Sequence, residues 1–233
     1  MRSRVLRLAT YNIHRGVGDD GLYDLERIAR VLKLLDVDVV GLQEVDIGHS
    51  PSGQCQSRFL AGELGYVSVE GPLLERHIGW YGNALLSRLP VREATHIDLS
   101  VPGREPRGAL EVTLGEDAFQ LHVMTMHLGL QAAERRRQVE RLLAEARTFD
   151  RERVVVMGDT NEWIPGNAIV AQLDRKLGRT RHRRSFPTRL PLLPLDRIWV
   201  HPRRLLRHLE VYRTPLTRYA SDHYPVVAEI ARE

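Results

Sequence analysis

Two short valine-rich runs constrain the fold of this chain more than any other feature. Residues 37–42 and 154–157 are almost wholly apolar and rich in β-branched side chains. Strands with this composition are covered on both faces, whereas a half-exposed strand alternates polar and apolar side chains. Each run follows a segment with helical spacing of apolar residues, at 24–35 and at 133–148. The sequence therefore predicts buried strands lying beneath helices at both ends of the chain.

The middle of the chain has a different pattern. Pro, Gly and Asp turns separate short strand-like segments at residues 66–70, 79–87, 91–99, 109–114 and 118–127. Closely spaced segments of this kind are typical of antiparallel strands. Further elements are expected as strands at 4–13, 197–200, 209–212 and 226–230 and as a helix at 57–64. Together the segments predict two stacked sheets with helices outside them.

Size and composition favour one large domain spanning residues 1–233. With 233 residues and 42% hydrophobic content, the chain can bury a full core. The single Cys55 excludes an intrachain disulfide and fits a reducing compartment. No apolar run approaches the roughly 20 residues that span a bilayer, and the N-terminus lacks a signal core. We therefore expect a cytoplasmic protein without a transmembrane segment.

The charge of the chain favours anionic partners. The net charge is +4, and basic residues are concentrated at 175–189 and 203–207. Nucleic acid, lipid head groups and phosphorylated metabolites would all be attracted to such a surface. Lysine occurs only at Lys33 and Lys176, so a general preference for arginine explains the concentration equally well. Substrate contact by the basic stretch stays open at this stage.

Two polar residues follow strands in the N-terminal part of the chain. Glu44 follows the first apolar run and Gln43, and Asn12 lies near the end of the first predicted strand. A carboxylate at a strand end is a natural ligand for Mg²⁺, which binds one or two protein carboxylates and keeps several waters. The amide of Asn12 would support that carboxylate or orient a ligand. The simpler alternatives are a surface ion pair for Glu44 and a turn for Asn12.

A second cluster follows the later valine-rich run. Gly158 permits a sharp turn, after which Asp159 and Asn161 can face one pocket. An aspartate can orient or deprotonate a water for attack on phosphorus, and an amide can donate to phosphate oxygens. The alternative is an ordinary turn in which the aspartate bonds its own backbone.

Two histidines complete the candidate chemistry. His223 precedes the final strand, and Asp196 is its best candidate carboxylate partner because it begins another apolar strand. An imidazole held by a carboxylate can donate to a phosphate or act as an acid. His127 ends a strand and is a second candidate catalytic imidazole. The alternatives are unrelated surface residues for the pair and a structural histidine at position 127.

Three residues are candidates for contact with substrate. Arg107 stands just before a strand, where its guanidinium could clamp a phosphate through two hydrogen bonds. Tyr81 and Asn83 are candidate polar groups lining a cleft. A solvated surface position is the alternative for Arg107.

Taken in order, seven motifs resemble the endonuclease/exonuclease/phosphatase superfamily of deoxyribonuclease I-like, metal-dependent phosphodiesterases. They are Thr10-Tyr11-Asn12, Gln43-Glu44, residues 82–88, Met126-His127-Leu128, Gly158-Asp159-Thr160-Asn161, Leu195-Asp196-Arg197-Ile198 and Ser221-Asp222-His223. The resemblance covers nearly the whole chain. It implies an α/β (α+β) fold that is a four-layer sandwich, with two stacked mixed or antiparallel sheets flanked by helices on both outer faces.

The resemblance also implies a role for each matching residue. Glu44 would be the principal ligand of Mg²⁺, with Mn²⁺ as a possible substitute, and Asn12 and Asp222 would assist it. Asp159 would orient the attacking water while Asn161 contacts the phosphate. The remaining positions are His223 beside the scissile phosphate, its orienting partner Asp196, and Arg107 as a looser match to a phosphate-contacting arginine.

His127 bears on the branch of the superfamily. A histidine here resembles deoxyribonuclease I-like enzymes, sphingomyelinases, deadenylases and tyrosyl-DNA phosphodiesterases, whereas abasic-site endonucleases typically have tyrosine. We therefore expect a divalent-metal-dependent phosphodiester hydrolase, most broadly a nuclease. A phospholipid head-group or small phosphometabolite hydrolase is the alternative, and a non-catalytic binding module with the same fold is a third interpretation.

Overall fold

A computed structural model describes residues 5–48, 55–76, 79–116, 119–164 and 166–232. In chain order, the strands of this described part are β1 (Val5–Asn12), β2 (Val39–Gly48), β3 (Val67–Arg76), β4 (Gly79–Ser87), β5 (Val91–Asp98), β6 (Gly108–Glu116), β7 (Phe119–His127), β8 (Val154–Asp159), β9 (Asp196–His201), β10 (Leu206–Val211) and β11 (Val226–Ala231). The helices are α1 (Leu25–Leu35), α2 (Gln56–Leu64), α3 (Ala132–Glu145), α4 (Ala168–Leu177) and α5 (Pro215–Ala220). Short 3₁₀ turns lie at His14–Gly16, Arg147–Asp150 and Arg203–Leu205.

The strands form two mixed sheets. One has six strands in the order β10-β11-β1-β2-β4-β3, and the other has five in the order β5-β6-β7-β8-β9. Within them, β1 runs parallel to β2 and β7 runs parallel to β8, while the other pairs are antiparallel. The predicted sandwich of two stacked sheets flanked by helices is confirmed.

Three apolar clusters hold the four layers together. The central cluster lies between the sheets and includes Leu8, Leu85 and Val155. A second packs α1 and α2 against the six-stranded sheet, and a third packs α3 and α4 against the five-stranded sheet. Because each valine-rich strand has a cluster on both faces, its continuous apolar character is explained by burial on both sides.

Several predicted boundaries differ from the observed ones. Strand β2 continues to Gly48, beyond the predicted end at residue 42, because residues 45–48 pair with β4 again after a shift of register at Gln43 and Glu44. Helix α3 ends at Glu145, since residues 147–150 form a 3₁₀ turn. Helices α4 and α5 were not predicted. Helix α5 has only six residues, too few to show a helical period, whereas α4 has the helical spacing Ile169, Val170, Leu173 and Leu177. Residues 4 and 118, where two predicted strands begin, lie outside the described residues.

The strand directions bring polar chain segments to one edge of the sandwich. The parallel pairs β1–β2 and β7–β8 all end there, and the antiparallel neighbours β9 and β11 begin there. In the ladder, Asp159 at the end of β8 lies opposite both His127 and Asp196. Groups far apart in sequence therefore meet at this edge.

No helix in the described part combines the length and apolarity needed to cross a bilayer. The cytoplasmic location and the single domain spanning residues 1–233 stay predictions.

Gly158 is the glycine on which this edge depends most. Its φ is +150°, and an added Cβ would lie 1.9 Å from the carbonyl oxygen of Met126 on the neighbouring strand. That oxygen belongs to the backbone of a central strand, so it cannot move aside as a flexible side chain would. Only glycine allows β8 to approach β7 this closely just before Asp159.

We expect Gly158→Ala to lower the free energy of unfolding by about 2 kcal/mol or more, because it adds overpacking to backbone strain. Urea unfolding followed by circular dichroism measures the change. Gly62→Ala is the matched control, since Gly62 lies in α2 and its added Cβ has open space around it. The control should gain up to about 1 kcal/mol from helix propensity. Equal midpoints for wild type and Gly158→Ala would contradict this explanation of the strand pair.

Candidate active site

A local irregularity in β2 positions Glu44. The pairing of β2 with β4 shifts register between Leu42 and Val45, and Glu44 has a left-handed backbone with φ of 57°. Such a conformation is costly for a residue other than glycine and is concentrated at functional sites. The half-buried carboxylate of Glu44 accepts a hydrogen bond from Asn12 Nδ2 at 3.0 Å.

The preceding residue, Gln43, points into the protein and braces the two sheets. Its Oε1 accepts from Thr10 Oγ1 at 3.1 Å on the same sheet. Its Nε2 donates to Thr125 Oγ1 on β7 of the other sheet at 2.9 Å. Gln43 therefore holds the end of β2 in place while Glu44 faces the edge.

Asp159 lies beside Glu44 although it belongs to the other sheet. Asn12 Nδ2 also donates to Asp159 Oδ2, at 3.1 Å, so one amide bridges the two carboxylates. The other oxygen of Asp159 accepts from the backbone N–H of Asn161 at 2.8 Å. The alternative interpretation of Asp159, a turn in which the aspartate bonds nearby backbone, is therefore present in the structure. This turn fixes the orientation of the buried Asp159 carboxylate. Asn161 itself has a φ of 49°, a second left-handed position at this edge.

His223 and Asp196 form a buried pair. His223 Nδ1 lies 2.8 Å from Asp196 Oδ2, and that same oxygen accepts from Ser185 Oγ at 2.6 Å. The Phe186 ring packs on the imidazole with a centroid separation of 4.6 Å. The other ring nitrogen, Nε2, lies 3.8 Å from Asp159 Oδ2. The ring is thus fixed on one side and faces the carboxylate cluster on the other.

The pKa values of the two histidines are displaced in opposite directions. Burial alone would lower the pKa of His223, but the charges of Asp196 and Asp159 outweigh it and raise the pKa to about 10. For His127, burial and the positive charge of Arg107 lower the pKa to about 3, against the opposing charge of Asp159. At neutral pH, His223 is an imidazolium that can donate from Nε2, whereas His127 is neutral.

His127 and Arg107 lie in contact on the other side of Asp159. Arg107 Nη1 is 3.3 Å from His127 Nδ1, and Asn161 Nδ2 is 3.1 Å from His127 Nε2. A neutral imidazole has a single acceptor nitrogen, so it can accept only one of these two N–H groups. Each donor nitrogen has a second acceptor as well, since Asn161 Nδ2 donates to the carbonyl of Leu128 at 2.9 Å and Arg107 Nη1 lies 3.2 Å from Glu105 Oε1. This arrangement suits a site that binds an anion.

Tyr81 and Asn83 lie close to these groups on β4. Burial and the charge of Glu44 raise the pKa of Tyr81 above its usual range, while the charge of Arg107 opposes the shift. Asn83 Nδ2 donates to the carbonyl of Gly108 at 2.9 Å, and its buried Oδ1 has no hydrogen-bond partner in the described part of the chain. Both residues border the Glu44 side of the edge.

Asp222 occupies a more peripheral position. Its Oδ1 lies 3.3 Å from Ser221 Oγ and 3.9 Å from His14 Nδ1. The Ser221 hydroxyl donates its hydrogen to the backbone carbonyl of Asn12 at 2.8 Å, which ties this segment to the end of β1. Asp222 therefore lies beside the buried cluster and not within it.

Two groups of residues can be considered for a metal ion. Asp159, Asp196 and His223 offer ligand atoms that lie within 4.8 Å of one another. The hydrogen bond between Asp196 and His223 and the imidazolium state of His223 argue against that group, because a metal-bound imidazole must be neutral. Glu44 and Asp159 instead offer hard carboxylate oxygens, which fit Mg²⁺ or Mn²⁺, and Asn12 supports both carboxylates through Nδ2.

Several supporting residues were not identified from sequence. Ser185 and Phe186 hold the His223–Asp196 pair, and no spacing in the sequence marks them. Arg197 donates to Thr160 Oγ1 and, at 3.0 Å, to the carbonyl of Glu162. The adjacency of Arg197 to Asp196 was the available signal, but its burial could not be anticipated.

Comparison with known proteins identifies the family. The model of the endonuclease/exonuclease/phosphatase family matches residues 9–223. This chain therefore belongs to that family, whose members are metal-dependent phosphodiesterases, nucleases and phosphatases.

Relatives and solved structures agree with this result. The Escherichia coli (strain K12) uncharacterized protein YbhP is 32% identical over 252 residues, which cover 96% of this chain and 95% of YbhP. The structure of an endonuclease/exonuclease/phosphatase from Beutenbergia cavernae has a TM-score of 0.76 and 23% identity, covering 99% of this chain and 72% of that one. D. rerio TDP2 complexed with single-strand DNA product has a TM-score of 0.68 and 21% identity, covering 97% and 99%. At these identities the structures show a shared fold.

The raised pKa of His223 predicts how stability depends on pH. Its folded-state pKa of about 10 exceeds the ordinary value of 6.5, so the stabilisation is complete below pH 6.5 and is lost as pH rises through 10. With a chelator present, we expect the urea midpoint of wild type to fall more between pH 7 and pH 10 than that of Asp196→Asn. The variant lacks the charge that raises the pKa. Parallel falls in the two proteins would contradict the assignment.

Proposed function

We propose that this protein hydrolyses phosphodiesters by in-line attack of water, with the help of a divalent cation. The observation that carries the proposal is the double hydrogen bond of Asn12 Nδ2, which holds Glu44 and Asp159 side by side. An imidazolium, His223, faces Asp159 of this pair, with Nε2 3.8 Å from Oδ2. A metal ligand (Glu44), a group that orients water (Asp159) and a cationic hydrogen-bond donor (His223) therefore lie next to one another, as the hydrolysis of a phosphate ester requires.

In this proposal, Glu44 is the main ligand for Mg²⁺ or Mn²⁺, with Asn12 supporting it and Asp222 assisting from the periphery. The cation would offset negative charge on the phosphate when bound. Asp159 orients the attacking water and accepts its proton, since both its oxygens are fixed by hydrogen bonds. The hydrogen-bond donors around Asp159 act on the phosphate itself.

These donors stabilise the negative charge that develops on the phosphate oxygens. His223 donates from Nε2 while Asp196 keeps the ring charged and oriented. On the opposite side, Asn161, Arg107 and His127 form a set of coupled polar groups that can contact a non-bridging oxygen. Tyr81 and Asn83 line the neighbouring wall.

Two surface features favour different substrates. A groove of about 590 Å³ is lined by Arg181, Arg183, Arg184 and Arg213, which supports a polyanion such as nucleic acid. The structurally similar TDP2, which was solved in complex with a single-strand DNA product, is in line with a nuclease. The loop at residues 187–194 exposes Leu190 and Leu192, which supports a phospholipid head group.

We expect Asp159→Asn and His223→Ala each to lower turnover of a diester by about a hundredfold or more, because each removes a group acting on the reacting atoms. Hydrolysis of bis-p-nitrophenyl phosphate, DNA, RNA and phospholipid, each with Mg²⁺ and Mn²⁺, is the measurement. Asp98→Asn on β5 is the matched control and should keep wild-type rates. Near-normal rates in either folded variant would overturn its role, and no hydrolysis by wild type of any substrate would favour a binding module.

We expect Glu44→Gln to weaken Mn²⁺ binding at least about tenfold, because it replaces the charged ligand with a neutral amide. Isothermal titration calorimetry measures the affinity without reference to turnover. Glu63→Gln is the matched control, since Glu63 lies on α2 and pairs with Lys33 on the surface. Equal affinities for wild type and Glu44→Gln would remove Glu44 as the principal ligand.

A further inference from the structure

Exposed apolar side chains are concentrated at the edge that carries the candidate active site. In the described part, all but two of the exposed large hydrophobic side chains lie at this edge. The exceptions lie near the opposite edge of the sandwich: Leu34 in the last turn of α1 and Val67 at the start of β3. Scattered exposed apolar residues are normal, but a contiguous group marks an interaction surface. We call six of them the apolar rim: Leu22, Leu130, Trp163, Ile164, Leu190 and Leu192.

One side of the rim is formed by two loops that are tied together. Leu190 is 64% exposed and Leu192 is 52% exposed. Between them and Leu22, Arg189 Nε donates to both carboxylate oxygens of Asp19 at 2.9 and 2.8 Å. The same loop reaches the site, because the N–H of Thr188 donates to the carbonyl of Asp222 at 2.9 Å.

The other side of the rim is held by a buried ion pair. Arg135 donates to the carbonyl of Leu130 at 2.6 Å and to Glu162 Oε2 at 3.0 Å, so the loops carrying Leu130 and Trp163 form one unit. Leu130 and Trp163 are nevertheless 63% and 57% exposed. The loop backbones are therefore fixed while these side chains stay in contact with solvent.

The two sides flank the carboxylate cluster. Thr160 N and Thr160 Oγ1 both donate to the carbonyl of Leu195, at 2.9 and 2.8 Å, which joins the two sets of loops directly beside the paired Asp159 and Asp196. A surface seated on the rim would therefore place its phosphate groups over the candidate active site.

A basic groove continues from one side of this edge. Arg213 Nη2 donates to the carbonyl of Arg184 at 2.8 Å, and the next residue, Ser185, bonds Asp196 in the site. The groove is lined by Arg181 and Arg183 as well, with Glu210 as its acidic residue. Its charge is complementary to an anionic surface lying next to the rim.

We propose that the apolar rim docks this protein onto an anionic phospholipid surface and presents a lipid head-group phosphodiester to the site. The occupant follows from the chemistry of all the apolar side chains exposed at this edge. Five are aliphatic, and the other four are Trp163, Trp80, Tyr23 and Tyr219. Aliphatic side chains insert among acyl chains while Trp and Tyr lie at the level of the head groups, whereas single-stranded nucleic acid would use only the aromatic rings, by stacking. The delivery of substrate rests on the proposed function, but docking itself does not.

Flotation of the wild-type protein with vesicles tests the docking. Vesicles of phosphatidylcholine alone are compared with vesicles of phosphatidylcholine and phosphatidylglycerol, and a single-stranded DNA oligonucleotide serves as a competitor. We expect binding to the anionic vesicles, weaker binding to the neutral ones, and only partial displacement by DNA, which can compete for the basic groove but not for the apolar rim. Binding to DNA alone, or equal binding to both vesicle types, would overturn the proposal.

Charged substitutions locate the surface. The double variant Leu190→Glu with Leu192→Glu, and Trp163→Glu on the other side, should each weaken vesicle binding at least about tenfold. Leu34→Glu is the matched control, since Leu34 is 54% exposed on α1 far from the rim, and it should bind as wild type. Unchanged vesicle binding in both rim variants would overturn the proposal.

A soluble substrate separates this proposal from the proposed function. The rim variants should hydrolyse bis-p-nitrophenyl phosphate within about twofold of wild type, because no rim residue lies in the hydrogen-bonded cluster. Rim-dependent vesicle binding without any hydrolysis would contradict the proposed function while supporting docking. Hydrolysis of the soluble diester without vesicle binding would support the proposed function and contradict docking.

Discussion

The arrangement of the site depends on one amide. Asn12 Nδ2 donates to Glu44 at 3.0 Å and to Asp159 at 3.1 Å, and these two carboxylates belong to different sheets. Two negative groups that accept from one amide nitrogen would otherwise repel each other, and burial would increase the repulsion. The amide relieves part of that cost by supplying both of its hydrogens. A divalent cation bound at Glu44 would relieve more of it, which is a physical reason for this pair to bind metal.

The fold brings these groups together through strand direction and local backbone strain. Four parallel strand ends and two antiparallel strand starts share an edge, so groups from distant parts of the chain become neighbours. Left-handed conformations at Glu44 and Asn161, and the glycine-only approach at Gly158, then aim the side chains. Such strain persists only where surrounding structure supports it, and here the double bracing by Gln43 provides that support. The apolar rim is built on the same loops, so site and rim share one rigid base.

Much of this could be predicted from sequence, and the rest could not for identifiable reasons. The spacing of apolar residues indicated most of the helices. The continuous apolar composition indicated the valine-rich strands, because a strand that is buried on both faces carries apolar side chains throughout. Motif order brought Glu44, Asp159 and His223 into one hypothesis. Sequence did not reveal Ser185 as the second partner of Asp196, since that contact joins a loop to a strand start. Nor did it show that exposed apolar residues from separate loops would form a rim, because such a surface exists only after folding.

The proposed function rests on the claim that a cation binds at the Glu44 end of this cluster. Crystals soaked in Mn²⁺ and measured for anomalous scattering locate that cation. We predict a strong anomalous peak within about 2.3 Å of the Glu44 carboxylate, with the bond between His223 and Asp196 intact. A peak between Asp196 and His223 instead, or no peak at either position, would contradict the claim.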